Sequence, residues 1–142
     1  MDRWWWYVSG ERYPVLWIGQ VSVVTLPAEI DVTNADATRE ELLAVLNQGA
    51  TLLVADMSKT VFCDSSGVSA LVRAFRHAPT SGAAMRLVVS TPAVQRVLSI
   101  TGVDRLVDVY PSVAASLAGP SGQENPAWPD SATAKADTDG GA

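Results

Sequence analysis

The sequence predicts a single α/β domain: a mixed, mostly parallel sheet with an antiparallel strand at its N-terminal end and about four helices. Three observations carry that reading. Strand-like and helix-like segments alternate over residues 14–118, the pattern of units packed around a parallel sheet. TLLVADMS, residues 51–58, is a nearly continuous apolar run, as expected of a strand covered on both faces. Ahead of the first helical pattern, PVLWIG and QVSVVTLP meet at Gly19 and Gln20 as a hairpin-like pair, which supplies the antiparallel member.

The elements follow in order. VTNADATREELLAVLNQG, residues 32–49, reads as a helix capped by Thr33 or Asn34, with Asp36, Glu40 and Glu41 early, an apolar face of Leu42, Val45 and Leu46, and Gly49 as its stop. After the buried strand comes VFCDSSGVSALV, residues 61–72, where an apolar segment gives way to Asp64, Ser65, Ser66 and Gly67. The helix SGVSALVRAFRHA continues from it, with Val68, Leu71, Val72 and Phe75 at i, i+3, i+4 and i+7. MRLVVS is a strand, and TPAVQRVLSITG a helix with Thr91 at the cap, Pro92 at the first helical position and Gly102 at the stop. RLVDVY is the last strand and PSVAASLA a last short helix.

Two segments flank this pattern. Residues 1–13 form a Trp-rich N-terminal extension; consecutive tryptophans cannot all share one face of a strand or helix, so part of the cluster is exposed or sticks to something. It reads as an extension packed loosely on the domain. Residues 119–142 are rich in Gly, Pro, Ala and Asp, with Trp128 as the lone large apolar residue, and read as a disordered acidic tail.

Composition excludes several classes. With 142 residues and 48% hydrophobic content the chain makes about one ordinary domain. No apolar run approaches the ~18 to 20 residues of a membrane span, and the N-terminus lacks the pattern of a signal peptide, so a cytoplasmic protein is expected. Cys63 and His77 are single, which leaves no internal disulfide and no Cys/His metal cluster. A net charge of −5 with singly scattered arginines argues against direct nucleic-acid binding.

The chemistry-bearing residues gather around DSSG. A nucleophile elbow needs G-x-S-x-G, and here Gly67 only follows the serines. His77, in the same helix, lies roughly 17 Å from them at ~1.5 Å per residue, too far to act as their base. No phosphate-cradling glycine motif is present. Asp31, Asp56 and Asp64 near strand ends could share Mg²⁺, but acids in such loops are more often turn formers or caps. Asp64 or Ser65 reads as the N-cap, and Gly67 as the residue that lets the backbone turn tightly. A serine at a helix N-terminus is also a favourable phosphate carrier, because free amides and the helix dipole stabilise the dianion.

LPAEIDVTNA (26–35), FCDSSGVSALVRAFR (62–76) and MRLVVSTPAVQRVLSITGVDRLVDVY (85–110) together resemble the STAS domain of bacterial anti-sigma factor antagonists, over roughly residues 15–118. The resemblance implies a STAS domain at 14–118 that is not an enzyme and needs no cofactor. It implies binding to an anti-sigma factor serine kinase, release of a sigma factor, inactivation by phosphorylation and restoration by a serine phosphatase. By motif position it implies Ser65 as phosphoacceptor, with Asp31, Asp64, Ser66, Gly67 and Ser69 on the partner-binding surface. Ala28 and Ser69 stand where the family usually has glycine, and Ser69 offers a competing hydroxyl. Two other readings stay open: a STAS-type accessory subunit of a transport or lipid-handling complex, and a small nucleotide-binding or hydrolytic domain. The oligomeric state is not legible.

Overall fold

The computed structural model describes residues 13–119. Its strands are β1 (Val15–Ile18), β2 (Val21–Thr25), β3 (Glu29–Ile30), β4 (Leu52–Met57), β5 (Phe62–Cys63), β6 (Ala84–Val89) and β7 (Asp108–Tyr110). Its helices are α1 (Ala35–Asn47), α2 (Ser65–His77), α3 (Pro92–Thr101) and α4 (Val113–Ala118). The main sheet runs β1-β2-β4-β6-β7; β1 and β2 are antiparallel and the other pairings parallel, as the alternation predicts. The hairpin closes at Gly19, whose φ of 63° is costly for any residue with a Cβ. Among the described residues no helix is long and apolar enough to cross a membrane.

Strand β4 lies at the centre with Leu53, Val54, Ala55 and Met57 fully buried, which is why its sequence is apolar at successive positions. The main core forms on one sheet face, where Leu42 and Leu46 of α1, Leu71 and Ala74 of α2, and Val94 and Leu98 of α3 meet Leu53, Met57, Leu87 and Val89. On the other face Val23, Val54 and Val88 form a smaller cluster, with Val113 of α4 against it. The buried Arg86 ties α4 down: its guanidinium donates to the carbonyls of Ser116 and Gly119 and lies 5.5 Å from the Tyr110 ring centroid. A cation there serves carbonyls that the end of a helix leaves without intrahelical donors.

The structure departs from the sequence expectation in four places. β3 and β5 pair in parallel as a separate two-stranded sheet, too short for any periodicity to register. Asn34 occupies the N-cap of α1 but caps nothing; its side chain accepts from the Asp31 N–H (3.0 Å) and donates to the Glu29 carbonyl (2.9 Å). Thr91 holds the N-cap position of α3 as expected, but its hydroxyl likewise caps nothing and donates to the Thr60 carbonyl (2.9 Å). The buried face of α2 is Gly67, Val68, Ala70, Leu71 and Ala74, while Val72 and Phe75 are half-buried at its margin. A reading weighted toward bulky residues misses the small ones that let a helix come close to its neighbours.

Candidate functional site

The β3–β5 pair builds the site. Glu29 pairs with Phe62 and Ile30 with Cys63, while the Val61 and Phe62 N–H groups donate to the Ala28 carbonyl (2.8 and 3.3 Å) and Asp64 N–H to the Ile30 carbonyl (3.1 Å). This short ladder lays residues 28–31 beside 61–64, so Asp31 and Asp64 leave it as neighbours and each opens the turn into a helix. Asp64 is the N-cap of α2: its Oδ1 accepts from the N–H of Ser66 (2.9 Å) and of Gly67 (3.1 Å). Of the two capping alternatives the structure selects the aspartate. Ser65 is therefore spared that task. It is the first helical residue, exposed, and its hydroxyl makes no hydrogen bond among the described residues.

Asp31 shapes the facing turn. Its Oδ1 accepts from the Thr33 hydroxyl (2.6 Å) and the Thr33 N–H (2.9 Å), and its carbonyl accepts from the N–H groups of Asn34 and Ala35. The Thr33 hydroxyl, then the Thr33 N–H, hold the carboxyl below its ordinary pKa, because both bonds favour the ionised form. Asp31 is thus a charged fixture of this surface at neutral pH. Thr33→Val is expected to raise its pKa toward the ordinary aspartate value; a carboxyl-carbon NMR titration showing the same midpoint in variant and parent would refute the bond's role.

Beneath the turn lies Cys63, buried, its thiol pushed up to about 11 by burial and then by the Asp64 charge. It stays protonated and unreactive at neutral pH. Because the folded pKa lies above the unfolded one, this group's contribution to stability is fully present below pH ~8.5 and is lost as pH rises toward about 11. The urea midpoint of the parent is expected to fall more between pH 8 and pH 10 than that of Cys63→Ala; equal falls would sink the assignment.

Gly67 requires two corrections. It is buried, which leaves it little surface to offer a partner, and it sits within a regular helix where no tight turn is made. A Cβ there would lie 2.6 Å from Cys63 Sγ and 2.8 Å from Ile30 Cγ2, so glycine is what lets α2 press onto the β3–β5 ladder. Its contribution is to packing.

Beside the exposed serine, a groove of about 250 Å³ separates the first turns of α1 and α2, lined among others by Val32, Asp36, Arg39, Ser66, Ser69 and Arg73. Ser69 is exposed and Ser66 half-buried. Arg39 reaches Asp36 (3.4 Å) and Glu40 (3.7 Å), surface pairs of little energetic weight. Sequence reasoning missed an apolar rim: Val32 is 74% exposed, Val61 55% and Phe62 49%.

His77 ends the helix that Ser65 begins. Asp31 and Asp64 are engaged as described, and Asp56 accepts from the Ser58 N–H (3.0 Å). Among the described residues no three Asp, Glu, His or Cys side chains stand together as a metal site. Asp31, Asp64, Ser65, Ser66 and Ser69 do gather at one end of the molecule, while the Trp-rich extension before Tyr13 and the acidic tail beyond Gly119 lie outside the described residues.

Comparison with known proteins agrees with this geometry. The chain is 29% identical over 86 residues to the anti-sigma-B factor antagonist of Bacillus subtilis, covering 61% of this chain and 78% of that protein. An anti-sigma factor antagonist from Mycobacterium paratuberculosis matches in structure with a TM-score of 0.69 at 28% identity, covering 74% of this chain and 89% of that one. The Bacillus cell fate determinant SpoIIAA in its phosphorylated form shares the fold, with a TM-score of 0.57 at 19% identity over 74% of this chain and 96% of that one. The STAS domain model matches residues 15–116, from β1 into α4, and the chain therefore belongs to the STAS domain family.

Proposed function

We propose that this protein is an anti-sigma factor antagonist: unphosphorylated, it binds an anti-sigma factor serine kinase and frees a sigma factor, and phosphorylation on Ser65 switches it off until a serine phosphatase removes the group. The observation that carries this is the Ser65 hydroxyl, exposed and without a hydrogen bond at the start of α2, beside two acids and an apolar rim. The antagonists of Bacillus subtilis and Mycobacterium paratuberculosis to which the chain is similar support the same reading. The rim of Val32, Val61 and Phe62 has the character of an interface centre, and Asp31, Asp64, Ser66 and Ser69 that of its polar surround. In this reading the protein is a binding module and the phosphate donor belongs to its partner. It works in the cytoplasm, where ATP and sigma factors are found.

Intact mass measurement and phosphosite mapping after incubation with candidate anti-sigma kinases and ATP tests the proposal. One added phosphate, mapped to Ser65, is expected with the cognate kinase. Phosphate confined to Ser66 or Ser69, or a bound kinase that phosphorylates nothing, would overturn the Ser65 assignment.

A further inference from the structure

Helix α2 presents an exposed stripe of Ser65, Ser69, Arg73 and Arg76, spaced i, i+4, i+8 and i+11. The stripe begins with the proposed phosphoacceptor and ends in two cations, and no acid follows Asp64 along the helix. The fold accounts for Arg76, which with His77 lies in the last turn, where a cation complements the helix dipole. It does not account for Arg73. That side chain lies ahead of the last turn, and among the described residues it makes no hydrogen bond and no ion pair. Across the groove between α1 and α2, Arg39 is only loosely engaged, since its partners Asp36 and Glu40 are 89% and 72% exposed.

We infer that Arg73, with Arg39 across the groove, receives a carboxylate of the anti-sigma kinase, and that this contact selects which kinase the protein accepts; the inference rests on the functional reading above. Charge and position name that occupant. Two arginines and one aspartate line the groove, so a partner gains by bringing an acid to it. A guanidinium offers a carboxylate two parallel N–H donors, which makes the contact selective in geometry as well as in charge. Between the arginines the lining is small, Ser66, Ser69 and the buried Ala70, which leaves room for an incoming side chain. The groove is continuous with the apolar rim through Val32, which belongs to both, so a kinase seated on the rim meets the groove on the same surface. Ser65 lies outside the lining, roughly 12 Å from Arg73 along the helix at ~1.5 Å per residue, so docking there and phosphoryl transfer at Ser65 are separable. The surface is thereby divided in charge. Asp31 and Asp64 at the start of α2 favour a cation on the partner, Arg73 farther along favours an acid, and a kinase lacking either in register is rejected.

The test uses the full chain and the kinase that phosphorylates it. Arg73→Glu is expected to weaken kinase binding at least about tenfold and to raise KM for phosphorylation in step, with kcat within about twofold of the parent's, because like charges meet at the groove while Ser65 keeps its own contacts. Rising salt is expected to weaken the parent complex more steeply than that of Arg73→Gln. Arg73→Lys keeps the charge and supplies an amine, so a carbodiimide is expected to join it by an amide bond to one Asp or Glu of the kinase, located by peptide mass mapping. Changing that acid to arginine is expected to restore binding to Arg73→Glu. Equal affinities of Arg73→Glu and the parent for a kinase that phosphorylates both overturn the inference and leave the functional reading standing. So does a complex of Arg73→Lys that yields no cross-link from position 73, or a kcat that falls while KM stays, which would move Arg73 to the transfer step. Arg73 side-chain resonances that shift with inorganic phosphate alone, beside an unchanged kinase affinity of Arg73→Glu, would make the groove a small-anion site instead. A parent chain that binds no kinase and accepts no phosphate fails the functional reading itself, and this inference falls with it.

Discussion

Gly67→Ala is expected to destabilise the protein by about 1 to 3 kcal/mol, although alanine is the better helix former by ~1 kcal/mol. The added methyl would lie 2.6 Å from Cys63 Sγ and 2.8 Å from Ile30 Cγ2. Neither neighbour is the free end of a flexible chain: both belong to the β3–β5 ladder and are buried. Relief requires α2 to back away, which loosens the Asp64 N–H bond to the Ile30 carbonyl. A loss of ~1 kcal/mol lowers the melting temperature of a domain of this size by about 4 to 8 °C, so calorimetry resolves the effect. Cys63→Ala, added to Gly67→Ala, removes the nearer obstacle and is expected to recover part of the loss. A Gly67→Ala protein that melts at or above the parent would show that the ladder yields cheaply and that Gly67 is not needed for the close approach.

The same residue shows where a sequence can be read and where it cannot. The main sheet is legible because each strand and helix carries its own period: the continuous run of β4, the i, i+3, i+4 spacing of α1, the Pro92 and Gly102 bracketing α3. The β3–β5 ladder is not, since two residues per strand set no period and the pairing joins positions more than thirty residues apart. Without it nothing in the chain says that Asp31 stands beside Asp64. Hydrogen-bond partners were equally hidden. Asp64, Ser65, Asn34 and Thr91 all have side chains suited to capping, and only tertiary placement decides that Asp64 caps while Asn34 and Thr91 bond to neighbouring loops. The likeness of three sequence blocks to STAS domains implies one surface for the acids and serines, an implication of the family and not of spacing along the chain. The rim of Val32, Val61 and Phe62 is visible only in the fold.

Ser65→Asp is expected to fold like the parent and to bind the cognate anti-sigma kinase at least tenfold more weakly, a cost of ~1.4 kcal/mol or more. Asp64 already occupies the N–H groups of Ser66 and Gly67, so a new anion at Ser65 finds fewer open amides than a bare helix N-terminus offers. It also enters beside the charge of Asp64 and that of Asp31, which Thr33 keeps ionised. Exposed to water, these charges are tolerable; buried under a partner, they repel and lose their hydration. Phosphate adds about −1.5 to −2 charges at pH 7, more than aspartate does, and is expected to act more strongly in the same direction. Ser65→Ala leaves the capping bonds of Asp64 untouched, so it is expected to keep its stability to within ~0.5 kcal/mol, to bind the kinase and to stay bound when ATP is added. Ser66→Ala and Ser69→Ala are expected to remain substrates. Calorimetric affinities and phosphate incorporation for the four variants and the parent decide the matter. Ser65→Asp binding as tightly as the parent would remove charge as the basis of the switch, and full phosphorylation of Ser65→Ala would move the acceptor to Ser66 or Ser69.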